Sequence, residues 1–308
     1  MSDAHIKTAL NEKDGFQIWW RLLRPHTLTA SFIPVFVGTM LATSEGTFHL
    51  GIFLAMLMAS MLIQAATNMF NEYYDFKRGL DNEHSVGIGG TIVRDGIKPK
   101  TVLNLAILFF LIAILLGVYI CMASSWWIAV IGSASMLIGY LYTGGPIPIA
   151  YTPFGELFSG FLMGTVIICI SYFVQTLVLT TNVIYISIPI AIFIASILLS
   201  NNIRDLDGDK ENGRRTLAIL LGRKKAILFL AFLFMLAYGL TAVYIIVGIL
   251  PLVSIVLFLT IPKAYEVIKK FKGKTKPIEM MPAMAATGKT NTMYGFLLGL
   301  SLLISTFI

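Results

Sequence analysis

Two short segments of the chain concentrate carboxylate and amide side chains at helical spacing. Residues three, four and seven positions apart share one face of a helix. The first such face carries Asn68, Asn71, Glu72 and Asp75. The second face carries Asn201, Asp205 and Asp209. Both segments follow long apolar runs, where unpaired carboxylates are costly, so each face requires a cationic partner.

Carboxylate and amide oxygens are hard ligands that suit Mg²⁺, which usually takes one or two carboxylates together with substrate phosphates. The same segments also carry basic residues, which suit phosphate oxygens: Lys77, Arg78, Arg94, Arg204, Lys210, Arg214 and Arg215. Acidic ligands beside basic ones predict a site for a metal ion and a diphosphate. The simpler alternative is that these charges only solvate helix ends. The repetition of Asn-x-x-x-Asp in both segments argues against that alternative.

The elements that must position these residues are long apolar helices. The 308-residue chain is 57% hydrophobic and 13% charged, which is too apolar for an ordinary soluble domain. A membrane-spanning helix needs about 20 mostly apolar residues. Nine stretches fit this requirement, at 27–44, 50–75, 101–122, 126–142, 155–175, 183–203, 226–247, 249–268 and 292–308. Pro251 and Pro262 flank the core of the eighth stretch, so a broken or re-entrant helix is the alternative there.

The basic residues fall on one side of these nine spans. All 23 Lys and Arg lie in the N-terminal segment, in the segments after spans two and six, or from the end of span eight onward. The connections after spans one, three, five and seven have none. The chain is predicted to lie in the cell membrane. Because basic loops stay in the cytoplasm, both acidic segments and the N-terminus are predicted to be on the cytoplasmic side. We expect membrane lipids, and no nucleic acid, among the partners of this chain with a net charge of +7.

We expect one integral-membrane domain over residues 1–308. Residues 1–26 are predicted to be a cytoplasmic segment with no apparent cleavable signal peptide, and 76–100 and 204–225 to be cytoplasmic loops beside the site. Cys121 and Cys169 lie in apolar runs, which favours buried thiols over a disulfide framework or a zinc site.

At the two acidic segments the sequence resembles the UbiA-type intramembrane prenyltransferases. The resemblance covers nearly the whole chain and includes the Arg-Pro-His-Thr entry to span one at 24–27 and the stretches 85–96 and 201–222. The spacing Asn71-Glu-x-x-Asp75-x5-Asp81 is similar to that of the 1,4-dihydroxy-2-naphthoate polyprenyltransferases of menaquinone synthesis. Many other members of the family place the last aspartate where this chain has Gly79.

The resemblance implies an all-α polytopic membrane protein, with nine transmembrane helices around a cytoplasm-facing central cavity. It implies Mg²⁺-dependent transfer of a polyprenyl chain from an allylic polyprenyl diphosphate to 1,4-dihydroxy-2-naphthoate, with loss of the carboxylate to give a demethylmenaquinone. The acceptor ring is itself the nucleophile, so no Ser-His-Asp or Cys-His set is required. Transfer to another aromatic acceptor, such as a 4-hydroxybenzoate-like ring, stays open.

The resemblance also implies a role for each residue of the site. The residues implied to hold Mg²⁺ are Asn71, Asp75, Asp81, Asp205 and Asp209. Those implied to stabilise the departing diphosphate, in a site shielded from water, are Lys77, Arg78, Arg94, Arg204 and Lys210. Those implied to act at the reaction centre are Asn71, Asp75, Asn201 and Asp205. Those implied to bind the acceptor are Arg24, His26, Asn68 and Tyr142.

Three points stay open in the sequence. His26 either contacts the acceptor carboxylate or solvates the end of a helix, and Tyr142 either shields a carbocation or anchors the chain at the membrane interface. A transporter is the alternative from another class of function, because polar groups on helix ends also mark ion and substrate sites. Transporter sites tend to lie near the midplane, however. These acidic residues cluster at one cytoplasmic end, which favours an amphiphilic substrate.

Overall fold

The computed structural model describes residues 15–81, 90–146 and 148–307, apart from the side chain of His26. Over these ranges the chain forms helices and no β-strand, so the all-helical prediction is confirmed. The helices are α1 Gly15–Leu23, α2 Pro25–Ser44, α3 Leu50–Lys77, α4 Thr91–Arg94, α5 Pro99–Ala123, α6 Trp127–Leu141, α7 Gly155–Thr176, α8 Thr181–Glu211, α9 Leu217–Leu221, α10 Arg223–Ile246, α11 Ile261–Phe271 and α12 Pro277–Ile304. Helices of the 3₁₀ type lie at Ile149–Tyr151 and Leu252–Thr260, and Gly160–Val166 within α7 is π-helical.

Among the described residues, six helices are long and apolar enough to cross a membrane: α2, α3, α5, α7, α8 and α10. The predicted fourth span corresponds to α6, which is apolar but has only 15 residues. The predicted ninth span is the C-terminal part of α12. That helix falls short in hydropathy because its middle turns carry buried polar residues, including Thr287 and Asn291.

The predicted eighth span is helical throughout, but it changes from one helix type to another within the span. Its first part, Leu252–Thr260, follows Pro251 and is a 3₁₀ helix of nine residues, which is long for this helix type. It changes to the α-helix α11 at Ile261, where Pro262 occupies one of the first two positions of the new helix. Proline is tolerated there because the first helical N–H groups need no intrahelical partner.

The long helices approach one another closely where small residues meet. A Cβ atom at Gly164 of α7 would lie 2.4 Å from the Cα atom of Ala191 in α8, so that contact excludes any larger residue. Small residues serve this purpose in membrane helices, where van der Waals packing replaces the hydrophobic effect between helices. The contact fixes α8, which carries the second acidic face, against α7.

The segments expected to be loops beside the site are partly helical. The second, 204–225, begins inside α8, which continues to Glu211, and it also contains α9. The first, 76–100, contains α4 as well as the last residues of α3. Helical backbone therefore continues from the apolar spans directly into both acidic segments, and it fixes the spacing of the acidic side chains.

Candidate active site

Helix α3 ends in a glycine turn that follows Asp75 by one helical turn. Gly79 has a φ of +74°, in the left-handed region that favours glycine, and the N–H of Leu80 donates a 2.9 Å hydrogen bond to the carbonyl of Asp75. This is the Schellman arrangement that ends many helices. The chain departs from the commoner aspartate spacing at this glycine. Asp81 follows the turn, with its N–H 3.4 Å from the same Asp75 carbonyl oxygen.

Helix α8 ends in the same kind of turn. Gly213 has a φ of +75°, and the N–H of Arg214 donates a 2.9 Å hydrogen bond to the carbonyl of Asp209. By position relative to the helix end, Asp209 therefore corresponds to Asp75. The repeated Asn-x-x-x-Asp pattern instead pairs Asp75 with Asp205. The second helix thus extends one turn further beyond its motif than the first.

The side chain of Arg214 joins the two acidic faces. Its Nη2 atom lies 3.0 Å from Oδ1 of Asp75, and its Nη1 atom lies 3.0 Å from Oδ1 of Asp209. The guanidinium also lies over the ring of Tyr151, 5.0 Å from the centroid. Burial opposes the charge of Arg214, but the two carboxylates more than offset burial and raise its pKa. The acidic ends of α3 and α8 therefore meet at one permanent positive charge.

The sequence placed Arg214 among the basic residues that suit phosphate oxygens but not among the residues assigned to the diphosphate. The signal that could have placed it is Gly213, because a glycine at the end of a helix turns the next residue back over the last turn. Tyr151 was missed altogether. It lies in the loop after α6, and its carbonyl accepts a 2.9 Å hydrogen bond from the N–H of Arg215.

Asp205 has a separate partner. The Nε and Nη2 atoms of Arg204 donate hydrogen bonds of 2.7 and 2.6 Å to its two carboxylate oxygens. The Nη1 atom of Arg204 lies 2.8 Å from the sulfur of Met284. The Asp205 side chain keeps 36% of its surface exposed, against 7% for Arg204. Arg204, expected to bind diphosphate, here neutralises the neighbouring predicted metal ligand.

The loop after α6 closes over the end of α3. The Thr143 hydroxyl donates a 2.5 Å hydrogen bond to Oδ1 of Asn71. Arg78 donates to the carbonyls of Thr143 and Gly145, at 3.0 Å for Gly145, and its guanidinium lies over the ring of Tyr151. Arg78, which the sequence assigned to diphosphate, is therefore occupied with holding this loop.

Two residues of the first acidic face contact neighbouring helices. The Nδ2 atom of Asn68 donates a 2.8 Å hydrogen bond to the hydroxyl of Thr27 in α2. Glu72 is fully buried, and its Oε1 atom accepts hydrogen bonds from the hydroxyl of Thr91 and, at 3.0 Å, from the N–H of Ile92. Asn68 and Glu72 thus attach α2 and α4 to α3, while Asn71 and Asp75 contact the loop after α6 and Arg214.

The remaining predicted diphosphate ligands have other surroundings. Arg94 and Arg21 both pair with Asp95, at 3.1 and 3.3 Å. Lys77 and Lys210 are exposed near the ends of α3 and α8. None of these four basic residues is seen in a contact with Asp75 or Asp209 within the described part of the chain.

No three His, Cys, Asp or Glu side chains are grouped as a ready metal site in the ranges that the structure describes. The site instead offers Asp75 and Asp209 on one guanidinium, with Asp81 nearby. Burial, and next the charge of Asp75, raises the pKa of Asp81 to about 6. Mg²⁺ usually takes one or two carboxylates and completes its shell with water and substrate phosphates. This set of donors fits a Mg²⁺ ion that binds together with a diphosphate.

A cavity of about 370 Å³ begins one helical turn from Asp75 and extends between α2, α3, α5, α6, α7 and α8. Most of its lining is apolar. Its polar residues at the acidic end include four predicted site residues: Asn68, Asn71, Tyr142 and Asn201. The Oδ1 atom of Asn201 is buried there and has no hydrogen-bond partner among the described residues. The cavity thus joins the acidic helix ends to a long apolar space.

Arg24 also lines the polar end of this cavity. Its φ is +51°, which is unusual for a residue other than glycine, and it stands between α1 and the first residue of α2, Pro25. A residue that precedes proline is disfavoured in the right-handed helical region, which helps to explain why Arg24 does not continue the helix before it. The Nε atom of Arg24 is buried, and no partner for it lies in the part of the chain that the structure describes. His26, the other basic residue predicted to bind the acceptor, has its side chain outside the described part of the structure.

Comparison with known sequences identifies close relatives. Residues 31–281 match the model of the UbiA prenyltransferase family. The chain is 56% identical over 301 residues to the 1,4-dihydroxy-2-naphthoate octaprenyltransferase of Bacillus subtilis (strain 168), covering 98% of this chain and 97% of that protein. It is 29% identical over 281 residues to the UbiA prenyltransferase domain-containing protein 1 of Xenopus tropicalis, covering 89% and 79% of the two chains.

Solved structures have the same fold. The apo structure of a UbiA homologue from Aeropyrum pernix K1 aligns with a TM-score of 0.67 at 15% identity, over 90% of this chain and 97% of that one. A UbiA homologue from Archaeoglobus fulgidus, bound to DMAPP and Mg²⁺, aligns with a TM-score of 0.62 at 16% identity, over 90% and 97%. The family model and the sequence identities establish that this chain belongs to the UbiA prenyltransferase family.

Proposed function

We propose that this protein transfers a polyprenyl chain from an allylic polyprenyl diphosphate to 1,4-dihydroxy-2-naphthoate, with Mg²⁺ as cofactor and with loss of CO₂. The observation that carries this proposal is the meeting of Asp75 and Asp209 at Arg214, one turn from a cavity that is otherwise mostly apolar. A charged head and a long apolar chain are the two parts of the donor. The acceptor is proposed from the 56% identity to the enzyme of Bacillus subtilis, whose name specifies it.

The proposed Mg²⁺ ligands are Asn71, Asp75, Asp81, Asp205 and Asp209. When bound, Mg²⁺ would neutralise charge on the diphosphate as it leaves. The carboxylates now paired with Arg214 and Arg204 would then be shared with the metal, and both guanidinium groups would turn to phosphate oxygens. Lys77 and Lys210 are proposed to add to this positive surface. Arg78 and Arg94 are proposed to hold the loops that close the site.

The reaction itself requires a cation and a nucleophilic ring. The bond between C1 of the donor and its diphosphate oxygen breaks, and the electron pair leaves with the diphosphate. The ring carbon that bears the carboxylate attacks C1 of the allylic cation and forms the new carbon–carbon bond. The bond to the carboxylate then breaks, its electron pair returns to the ring, and CO₂ and the quinol form of demethylmenaquinone result.

The polar end of the cavity supplies the contacts for this acceptor. The unpartnered Nε of Arg24 suits the acceptor carboxylate, and the unpartnered Oδ1 of Asn201 can accept a hydrogen bond at the same end. The amide of Asn68 is bonded to Thr27 and Gln64, so Asn68 is proposed to contact the acceptor only as part of the cavity wall. The ring of Tyr142, which also lines the cavity, is proposed to face the allylic cation. His26 stays part of this proposal through its position next to Arg24 and Pro25.

We also propose nine membrane crossings in one domain over residues 1–308, with the N-terminus and both acidic ends in the cytoplasm. The one-sided distribution of the 23 Lys and Arg residues supports this arrangement. Helix α12 has 28 residues and therefore a length of about 42 Å, which exceeds the hydrocarbon core of a bilayer. The six long apolar helices supply most of the remaining crossings.

The experiment that tests the function is a transfer assay with purified protein in detergent. The mixture contains Mg²⁺, an allylic polyprenyl diphosphate and either 1,4-dihydroxy-2-naphthoate or 4-hydroxybenzoate, with product identified by mass spectrometry. We expect a prenylated, decarboxylated naphthalene product that disappears when EDTA is added. If product forms with 4-hydroxybenzoate and not with the naphthoate, 4-hydroxybenzoate becomes the proposed acceptor. Transport of a solute across proteoliposomes without any prenyl transfer would contradict it.

A further inference from the structure

Two glycines inside apolar helices line the cavity where packing does not require them. They are Gly117 in α5 and Gly132 in α6, and a Cβ atom added at either would have no heavy atom of the described residues within 4 Å. By contrast, Gly164 in α7 lies directly against Ala191. A glycine within a helix costs about 1 kcal/mol relative to alanine. Packing therefore does not explain why these two positions are glycine, and the open space beside Gly117 and Gly132 requires another explanation.

Both glycines lie on the cavity-facing side of their helices. The residues of α6 that line the cavity include four spaced by three or four positions: Ile128, Gly132, Ser135 and Gly139. The residues of α5 that line it include Ala113, Gly117 and Cys121, with the same spacing. Gly132 and Gly117 stand in the middle of these two rows. A side chain at either position would therefore extend toward the cavity.

The two glycines also lie at the same depth. Helices α5 and α6 are consecutive and are joined only by residues 124–126, so they run in opposite directions. Gly117 precedes Ser125 by eight positions and Gly132 follows it by seven, which places both about 11 Å from the connection at 1.5 Å per residue. Together they widen one level of the cavity from two sides.

The distance of this level from the polar end can be read along α6. Tyr142, at the polar end, follows Gly132 by ten positions, or about 15 Å of helix. One isoprene unit adds four carbon–carbon bonds of about 1.5 Å each, hence roughly 5 Å of extended length. The level of the two glycines therefore corresponds to the end of about the third isoprene unit.

We propose that Gly117 and Gly132 are specificity-determining residues that admit the fourth and later isoprene units of the donor. This inference rests on the proposed function, because it assumes a polyprenyl diphosphate with its head at the acidic helix ends. The surrounding side chains, such as Ile120 and Ile128, are apolar and suit a hydrocarbon chain. A leucine at either glycine would fill the widened level and leave the polar end unchanged.

The test compares donors of increasing length in Gly132→Leu, Gly117→Leu and the double variant. Donors with two to eight isoprene units are assayed with the same acceptor, and kcat/KM is determined for each. For Gly132→Leu we expect a loss of about tenfold or more with donors longer than three units, since misfit in an apolar pocket has effects of this size. Donors of two units should lose less than about twofold. Gly132→Ala should give a smaller loss of the same pattern.

The matched control is Gly239→Leu. Gly239 lies within the apolar helix α10, is exposed, and also has no heavy atom within 4 Å of an added Cβ atom, but it is not part of the cavity lining. It should leave the length profile unchanged. Equal losses with all donors, or an unchanged profile in the double variant, would show that the chain does not pass these glycines. If the unaltered protein transfers no donor of any length, the proposed function itself fails, and this inference fails with it.

Discussion

Arg214 donates a 3.0 Å hydrogen bond to Asp75, a residue that precedes it by 139 positions in the chain. The same guanidinium reaches Asp209 at an equal distance, in the last turn of α8. Two carboxylates facing each other at the end of apolar helices would repel, and a fixed cation between them removes that repulsion. Arg214 therefore has two consequences in the proposed enzyme: it holds the helix ends together, and it brings a positive charge to the proposed diphosphate site.

Replacing Arg214 with alanine separates these two consequences. We expect turnover to fall by about 10²–10³-fold, the usual effect of removing one group that stabilises developing charge. The carboxylates of Asp75 and Asp209 would also lose their common partner. Mg²⁺ alone should then raise the melting temperature of Arg214→Ala more than that of the unaltered protein.

The control for this variant is Arg223→Ala. Arg223 pairs with the exposed Asp207 at 3.0 Å and takes no part in the contact between α3 and α8. It should change neither turnover nor the stabilisation by Mg²⁺ appreciably. Near-normal turnover in Arg214→Ala would remove Arg214 from the proposed diphosphate site.

The aspartates of the two faces should be individually essential. We expect Asp75→Ala and Asp205→Ala each to abolish detectable transfer while the protein still elutes as a folded, monodisperse species in detergent. Asp207→Ala is the control within the same segment, because its side chain is 63% exposed and contacts only Arg223 among the described ion pairs. Retention of near-normal rate in Asp75→Ala or Asp205→Ala would exclude that residue from the metal site.

The sequence was sufficient to predict the helical class, the two acidic faces and the family, because each depends on local spacing. It was not sufficient to predict which partner each polar residue takes. Asn68 and Glu72 share a face with Asn71 and Asp75, but α2 and α4 pack beside the first pair and leave the second pair free to meet the loop and Arg214. Those neighbours come from distant parts of the chain, so helical spacing alone cannot identify them.

The membrane spans were also predictable from the sequence only in part. Hydropathy identifies helices that have few polar residues. Helix α12 has Thr287, Thr290 and Asn291 fully buried against other helices, so it is more buried than its low hydropathy suggests. Pro251 and Pro262 raised the alternative of a broken helix, and the structure instead has contiguous 3₁₀ and α-helical segments there. The 3₁₀ form of the first segment was not predicted, because a 3₁₀ run of nine residues is uncommon.

The buried carboxylate of Glu72 should be important for stability. Thr91→Val removes the hydroxyl that donates to Oε1 and leaves a buried carboxylate with one fewer donor. We expect the free energy of unfolding to fall by about 1–3 kcal/mol, measured as a lower melting temperature in detergent. Thr91→Ser keeps the hydroxyl and should restore most of the stability. Equal melting temperatures for the valine and serine variants would contradict this account.

The proposed topology can be tested with single cysteines in a background that lacks Cys121 and Cys169. Val178 is exposed in the connection between α7 and α8, which is proposed to be outside, and Lys274 is exposed between α11 and α12, proposed to be inside. In intact cells, a membrane-impermeant thiol reagent should label Val178→Cys and spare Lys274→Cys. After the membrane is permeabilised, both should react. Labelling in the reverse order would invert the proposed orientation.

The activity should depend on pH through Asp81. Burial, and next the neighbouring Asp75 carboxylate, raises the pKa of Asp81 from 3.8 to about 6. Below that pH the metal-free protein holds a proton on Asp81, and a protonated carboxyl is a poor ligand for Mg²⁺. Turnover at low Mg²⁺ concentration should therefore rise as the pH increases through about 6. Because metal and proton compete for the same oxygens, a higher Mg²⁺ concentration should move the midpoint to lower pH.

The raised pKa of Asp81 also affects stability: turnover should rise with pH, but the stability of the metal-free protein should fall. Between about pH 4 and 6 the folded, metal-free protein binds more protons at Asp81 than the unfolded chain, whose aspartates titrate near 4. Stability without metal should therefore decrease as the pH rises through this interval, and Asp81→Asn should weaken the dependence in thermal unfolding.

In the transfer assay, a midpoint that stays fixed when the Mg²⁺ concentration is raised tenfold would mean that the titrating group is not a metal ligand.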